Sequence, residues 1–156
     1  TTTKMSLPSI FDKSVHDSFI QRIEKLTHES KANWGKMNVS QMLAHLNVSY
    51  DLAYERIVPK YNFLMKFMLK TMVKKMVTNE VTYKPNGRTA PVFVIADERD
   101  FNKEKLRLIE NMNQAFNDGT SFFDGRVSVS FGKMTVQEWS NQFYKHLDHH
   151  LRQFGV

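Results

Sequence analysis

His146 and His150 stand four residues apart in the run Lys145-His146-Leu147-Asp148-His149-His150. On a helix that spacing puts both imidazoles on one face, about 6 Å apart along the axis. Two neutral imidazoles so placed can reach one divalent metal ion. His149 competes for the same role, being three residues from His146 but turned about 100° from His150. Polar residues on a terminal helix that bind nothing satisfy the same spacing. His45 sits among Met42, Leu43, Leu46 and Val48, on a helix that should be largely packed. A buried imidazole needs a hydrogen-bond partner or a metal. For His45 taken alone, a hydrogen-bonded core histidine is the simpler account.

The elements that must position these residues begin with two similar helix starts. Trp34-Gly-Lys-Met-Asn-Val39 parallels Phe131-Gly-Lys-Met-Thr-Val136. In each an aromatic residue, Gly, Lys and Met lead into an N-cap residue. Asn38 with Gln41, and Thr135 with Glu138, have the spacing of capping boxes. His45 follows its cap by seven residues and His146 follows its own by eleven. At about 100° per residue these offsets differ by about 40° in phase. Both histidines therefore leave nearly the same face, counted from their own helix start.

Five helical segments are expected. The first covers residues 14–27, with Val15, Phe19, Ile23 and Leu26 at helical spacing. The second starts after Asn38 and fades before Pro59. The third covers 61–77. The fourth covers 102–116 and stops before Asn117-Asp118-Gly119. The fifth starts at Thr135 and reaches Gln153. Between the third and fourth, Pro85, Asn86, Gly87 and Pro91 supply turn chemistry, and residues 92–95 have the composition of an extended piece. Helices dominate, so the fold class is all-α, a bundle within a single domain over residues 1–156.

The chain has 156 residues, enough for one domain with a substantial core. It has no cysteine, which excludes a disulfide framework, a thiolate metal site and a cysteine nucleophile. No apolar run approaches the roughly 18 residues needed to span a bilayer. The start, residues 1–8, lacks the apolar segment of a signal peptide. The expectation is a cytoplasmic protein without stable membrane insertion. The net charge of +6 comes from 22 basic and 16 acidic residues. These are mostly interleaved and form no nucleic-acid motif, so no nucleic-acid partner is expected.

Other residues are read structurally. In the third segment Lys66, Lys70 and Lys74 form a stripe on an otherwise apolar helix rich in Met and Phe. This favours a helix buried on most sides, its lysines reaching water along their stems. A self-association or membrane-surface role is the competing reading. Glu138 is a cap residue, Asp148 a solvated one, and Trp34 and Trp139 packing residues. Ser40 and Ser49 lack the partners of a catalytic triad. No Gly-rich phosphate loop is present.

The stretch from Trp34 to Leu46 resembles the second-helix motif of the DinB/YfiT-like superfamily. The tail Phe131-Gly-Lys-Met-Thr-Val-Gln-Glu-Trp139, with Lys145-His-Leu-Asp-His-His-Leu-Arg-Gln-Phe-Gly155, is similar to one branch of it, as is Thr89-Ala-Pro91. The resemblance spans essentially the whole chain. It implies a four-helix core in up-down-down-up order, with a short extra helix or irregular central insertion. It also implies a metal held by one His of the second helix and a His-x-x-x-His pair of the last. Those positions are His45, His146 and His150, and the resemblance thereby selects His150 over His149. Three imidazoles leave coordination positions open, the pattern of a catalytic rather than a closed site. Zinc or nickel suits such ligands. Better-known relatives point to a low-molecular-weight thiol as substrate and to thiol S-transfer, some to hydrolysis. The expectation is thus a metal-dependent transferase or hydrolase acting on a small molecule, possible as a homodimer. The alternative is a non-catalytic binding or dimerisation module with weak or no metal.

Overall fold

The computed structural model describes residues 6–156. Residues 1–5, over which most of the leader expectation was read, lie outside the described residues. Among the described residues helix predominates. The elements are α1 (Lys13–Glu24), α2 (Val39–Ala53), α3 (Phe63–Met68), α4 (Lys74–Thr78), α5 (Phe101–Phe123) and α6 (Val136–Gln153), with β1 (Val127–Ser128) and β2 (Gly132–Lys133). A π turn, Leu69–Val73, joins α3 to α4, and a single 3-10 turn, Pro91–Phe93, precedes α5. Among the described residues no helix is long and apolar enough to cross a membrane.

Local chemistry starts the two helices that matter most. Asn38 accepts from the Gln41 backbone N–H while the Gln41 side chain accepts from Asn38 N–H. Thr135 and Glu138 make the same reciprocal pair. Each box satisfies two donors that a helix start leaves orphaned.

Apolar residues of α1, α2, α5 and α6 close one core. Ile23, Met42, Leu43, Leu108, Phe143 and Leu151 are buried at its centre. Burying each such side chain contributes about 1.5–3 kcal/mol. Helix α2 is buried along nearly its whole length, because α5 covers one side and α6 another. The α2–α5 contact includes a polar seam. Asn47 Nδ2 donates to the Glu104 carboxylate (2.9 Å) and carbonyl (3.1 Å), and Asn111 Nδ2 donates to Asn47 Oδ1 (3.0 Å). Asp51 beside them pairs with Arg56 and Arg107.

Several expectations need correction. Helix α5 does not stop before Asn117. It breaks at Gly119, whose φ of +76° an L side chain resists, and then adds a last turn. Phe123 drives this extension: it is fully buried, its ring against Phe11, Trp139 and Phe143. Residues 92–95 are extended only in part, since Val94 has extended backbone angles but Val92 and Phe93 do not. Pro91 opens a 3-10 turn there, and the described residues offer no neighbouring strand to pair with it. Residues 125–134 carry a short hairpin, Val127 opposite Lys133 and Ser128 opposite Gly132. The third segment is not buried on most sides: α3 and α4 contain no buried residue, and only Leu69 of the joining turn is covered.

Candidate metal centre

Helix α2 brings His45, and α6 brings His146 and His150, to one point in the interior. Their potential ligand atoms all lie within 4.8 Å of one another, a group that could hold a metal ion. The ring centroids are 4.7 Å (His45–His146), 4.5 Å (His45–His150) and 5.0 Å (His146–His150) apart. His45 and His150 are buried and His146 is partly so.

Each ring is held through its Nδ1 by a different neighbour. His45 Nδ1 is 2.8 Å from the Phe93 carbonyl oxygen. His146 Nδ1 is 2.6 Å from Ser49 Oγ. His150 Nδ1 is 2.7 Å from Gln153 Oε1. A carbonyl oxygen only accepts, so His45 carries its proton on Nδ1. Gln153 donates through Nε2 to the Trp34 carbonyl (2.8 Å). That fixes its oxygen toward His150, which therefore donates from Nδ1 as well. Both rings then present an unprotonated Nε2, the nitrogen that ligates a metal when the other is tied to an acceptor.

His146 is different because Ser49 can donate or accept. The Nε2 atoms of His146 and His45 are 2.8 Å apart. With a proton on His146 Nε2, the two rings hydrogen-bond and Ser49 donates to Nδ1. With the proton on Nδ1, Ser49 accepts it and three lone pairs converge. The second arrangement fits a divalent cation, and only a cation offsets the repulsion among the three lone pairs.

Burial lowers the pKa of all three imidazoles, and neighbouring imidazoles add to it. His146 falls well below the usual 6.5, and His150 falls to about 3 despite its bond to Gln153. Neutral rings are the form a metal requires.

His149 does not join this group. It turns outward between Trp34 and Tyr83, ring centroids 5.6 and 5.7 Å away. A cavity of about 550 Å³ reaches His150 and is walled by Trp34, Met37, Gln41, Phe93 and His149. A smaller one of about 200 Å³ lies beyond Trp34 and His149, beside Tyr83 and Lys145.

Two readings of single residues change. Asp148 is buried rather than solvated, bonded to Arg22 (2.9 Å) and paired with Arg152 (3.0 Å), which ties α1 to α6. Ser49 is no catalytic-triad serine, but it is the partner of His146. The sequence marks Ser49 only as a serine without triad partners and Gln153 only as a helix end, and it gives the Phe93 carbonyl no role. Ser49 is four residues after His45 and Gln153 three after His150, so helical spacing placed both beside a candidate ligand. No spacing signals the Phe93 carbonyl, which arrives from a separate loop.

A family model described as "Protein of unknown function (DUF1569)" matches residues 9–155, and the chain belongs to that family. No curated protein and no solved structure matches the chain.

Proposed function

We propose that this protein is a metal-dependent enzyme acting on a small molecule, with His45, His146 and His150 holding one divalent ion. The observation that carries the reading is the set of three Nδ1 anchors, which turn three Nε2 atoms to one point beside an open cavity. A hydrogen bond between His45 and His146 accounts for two of the rings but not for His150, which joins the same group. In the same reading the four long helices α1, α2, α5 and α6 form one DinB/YfiT-like domain in up-down-down-up order. That order places the second and last helices face to face, where the three histidines are shared.

Three imidazoles leave at least one coordination position open. A zinc or nickel ion bound there supplies Lewis-acid chemistry, activating a bound water or a thiol as nucleophile. The chain's own residues hold the ligands neutral by burial and orient them through Phe93, Ser49 and Gln153. Trp34, Met37 and Phe93 wall the approach and exclude bulk water from one side of a substrate. Gln41 and His149 offer polar contacts on the same wall. A low-molecular-weight thiol and S-transfer are the favoured substrate and reaction on the strength of the resemblance to DinB/YfiT-like relatives.

Metal analysis of protein purified without a polyhistidine tag tests this. The expected result is one zinc or nickel per chain, lost in His45→Ala and in His150→Ala. Failure of the metal-stripped protein to take up either ion overturns the reading and leaves a non-catalytic bundle. One ion per chain, but no thiol-dependent transfer with small electrophiles, keeps the site and removes the S-transferase assignment.

A further inference from the structure

We propose that the exposed face of the α3–α4 rod docks on an anionic lipid surface. The inference stands apart from the metal reading and needs no ion.

The rod carries large apolar side chains into solvent. Phe63 is 88% exposed, Met72 69%, Leu64 66% and Phe67 61%, with Met76 also open. So many large apolar side chains in solvent on one short rod mark a contact site rather than a solvated surface. The apolar residues are accompanied by charge of one sign. Between Glu55 and Glu80 there is no acidic residue, while Lys60, Lys66, Lys70, Lys74 and Lys75 all fall there. Lys74 is engaged by the Lys133 carbonyl and by Glu138. The other four make no ion pair among the described residues.

Charge decides the occupant. A second copy meeting this face about a two-fold axis would set lysines against lysines with no carboxylate among them. A layer of anionic headgroups supplies the missing negative charge, and the acyl boundary beneath takes Phe and Met side chains. Lysine stems lie along apolar surface while their ammonium groups reach phosphate. The rod suits lying in that boundary. At about 1.5 Å per residue, α3 through α4 is about 24 Å long, and it is interrupted by lysines, so it rests on the surface rather than crossing it.

The rod is also held from behind. Asn141 of α6 donates to the Thr78 carbonyl (2.8 Å), and Lys145 of α6 donates to the Met76 carbonyl and to Asn79 Oδ1 (2.8 Å). These bonds fasten its C-terminal end to the main body and leave the Phe63–Phe67 side outward.

Vesicle co-sedimentation of the full chain tests the proposal. The probes are vesicles of phosphatidylcholine with about one third phosphatidylserine, against phosphatidylcholine alone. Binding is expected to the anionic vesicles at about 0.1 M salt, weakening at least about tenfold near 0.5 M. The double variants Phe63→Ser/Phe67→Ser and Lys66→Glu/Lys70→Glu should each weaken it at least about tenfold. Unchanged far-UV circular dichroism shows that they fold, as expected for four exposed side chains. No binding to anionic vesicles at low salt overturns the proposal. So does a dimer in sedimentation equilibrium that Phe63→Ser/Phe67→Ser dissociates while vesicles bind nothing, which assigns the face to a second copy.

Discussion

Ser49 Oγ lies 2.6 Å from His146 Nδ1, linking α2 to α6 directly behind the imidazole cluster. Its hydroxyl is the one anchor of the three that can serve either tautomer. The proton position on His146 is thus decided by what the Nε2 side faces, whereas His45 and His150 are committed by acceptors that cannot donate.

Ser49→Ala removes that control without touching a candidate ligand. Loss of a partner of this kind typically weakens metal binding about 10- to 100-fold. Competition with a chelator of known zinc affinity reads the change. An unchanged zinc affinity would show that Ser49 only packs.

Gly35 has φ +81°, and a Cβ there would stand 2.7 Å from Gln153 Nε2. Gly35→Ala is therefore expected to cost about 1–3 kcal/mol of backbone strain. It should also displace the Gln153 amide that orients His150. Urea denaturation measures the first effect and zinc titration the second. Full stability with unaltered zinc affinity would contradict both.

The metal-free protein should gain stability as pH rises. The folded pKa values of His45, His146 and His150 lie below 6.5, chiefly through burial. Between the two values the unfolded chain binds more protons than the folded one, so protonation favours unfolding. The contribution is complete above about pH 6.5 and is lost as pH falls toward about 3, the value for His150. Urea midpoints of the metal-free protein at about pH 5 and pH 7 should differ in that direction. His150→Gln should narrow the gap, whereas a gap of opposite sign would refute buried neutral rings.

Asn47→Ala strips partners from Glu104 and Asn111 inside the α2–α5 contact. Each buried polar group left unpaired costs about 1–3 kcal/mol, so a total loss of about 3 kcal/mol is expected. Metal stoichiometry should stay unchanged, because Asn47 touches none of the three histidines. Thermal denaturation and metal analysis on the same sample separate the two effects.

How much of the site was legible varies with the range of the force involved. The starts of α2 and α6 could be read because a capping box is complete within four residues. The spacing of His146 and His150 is likewise local, being one helical turn. Nothing local distinguished His149 from His150, and resemblance chose between them. The structure turns His149 outward against Trp34 and Tyr83, which come from distant segments. Asp148 was misread because its partner Arg22 lies at the other end of the chain.

The Lys/Met segment shows the same divide from the other side. Its apolar content suggested burial, but composition carries no information about whether a neighbour is available. In the fold α1, α2, α5 and α6 close the core among themselves, and the rod is left outside with only Leu69 covered.

By itself, then, the sequence determined the starts of α2 and α6 and the one-turn spacing of His146 and His150, because these follow from contacts within one or two helical turns, while His45 joined them through resemblance. Tertiary structure alone decided which ring nitrogens converge. The acceptors that set them are a loop carbonyl, a serine on the facing helix and a glutamine pinned by Trp34. Packing of the whole chain brings the carbonyl and the serine within hydrogen-bond reach of their rings and pins the glutamine, whereas helical spacing encodes only that Gln153 lies beside His150.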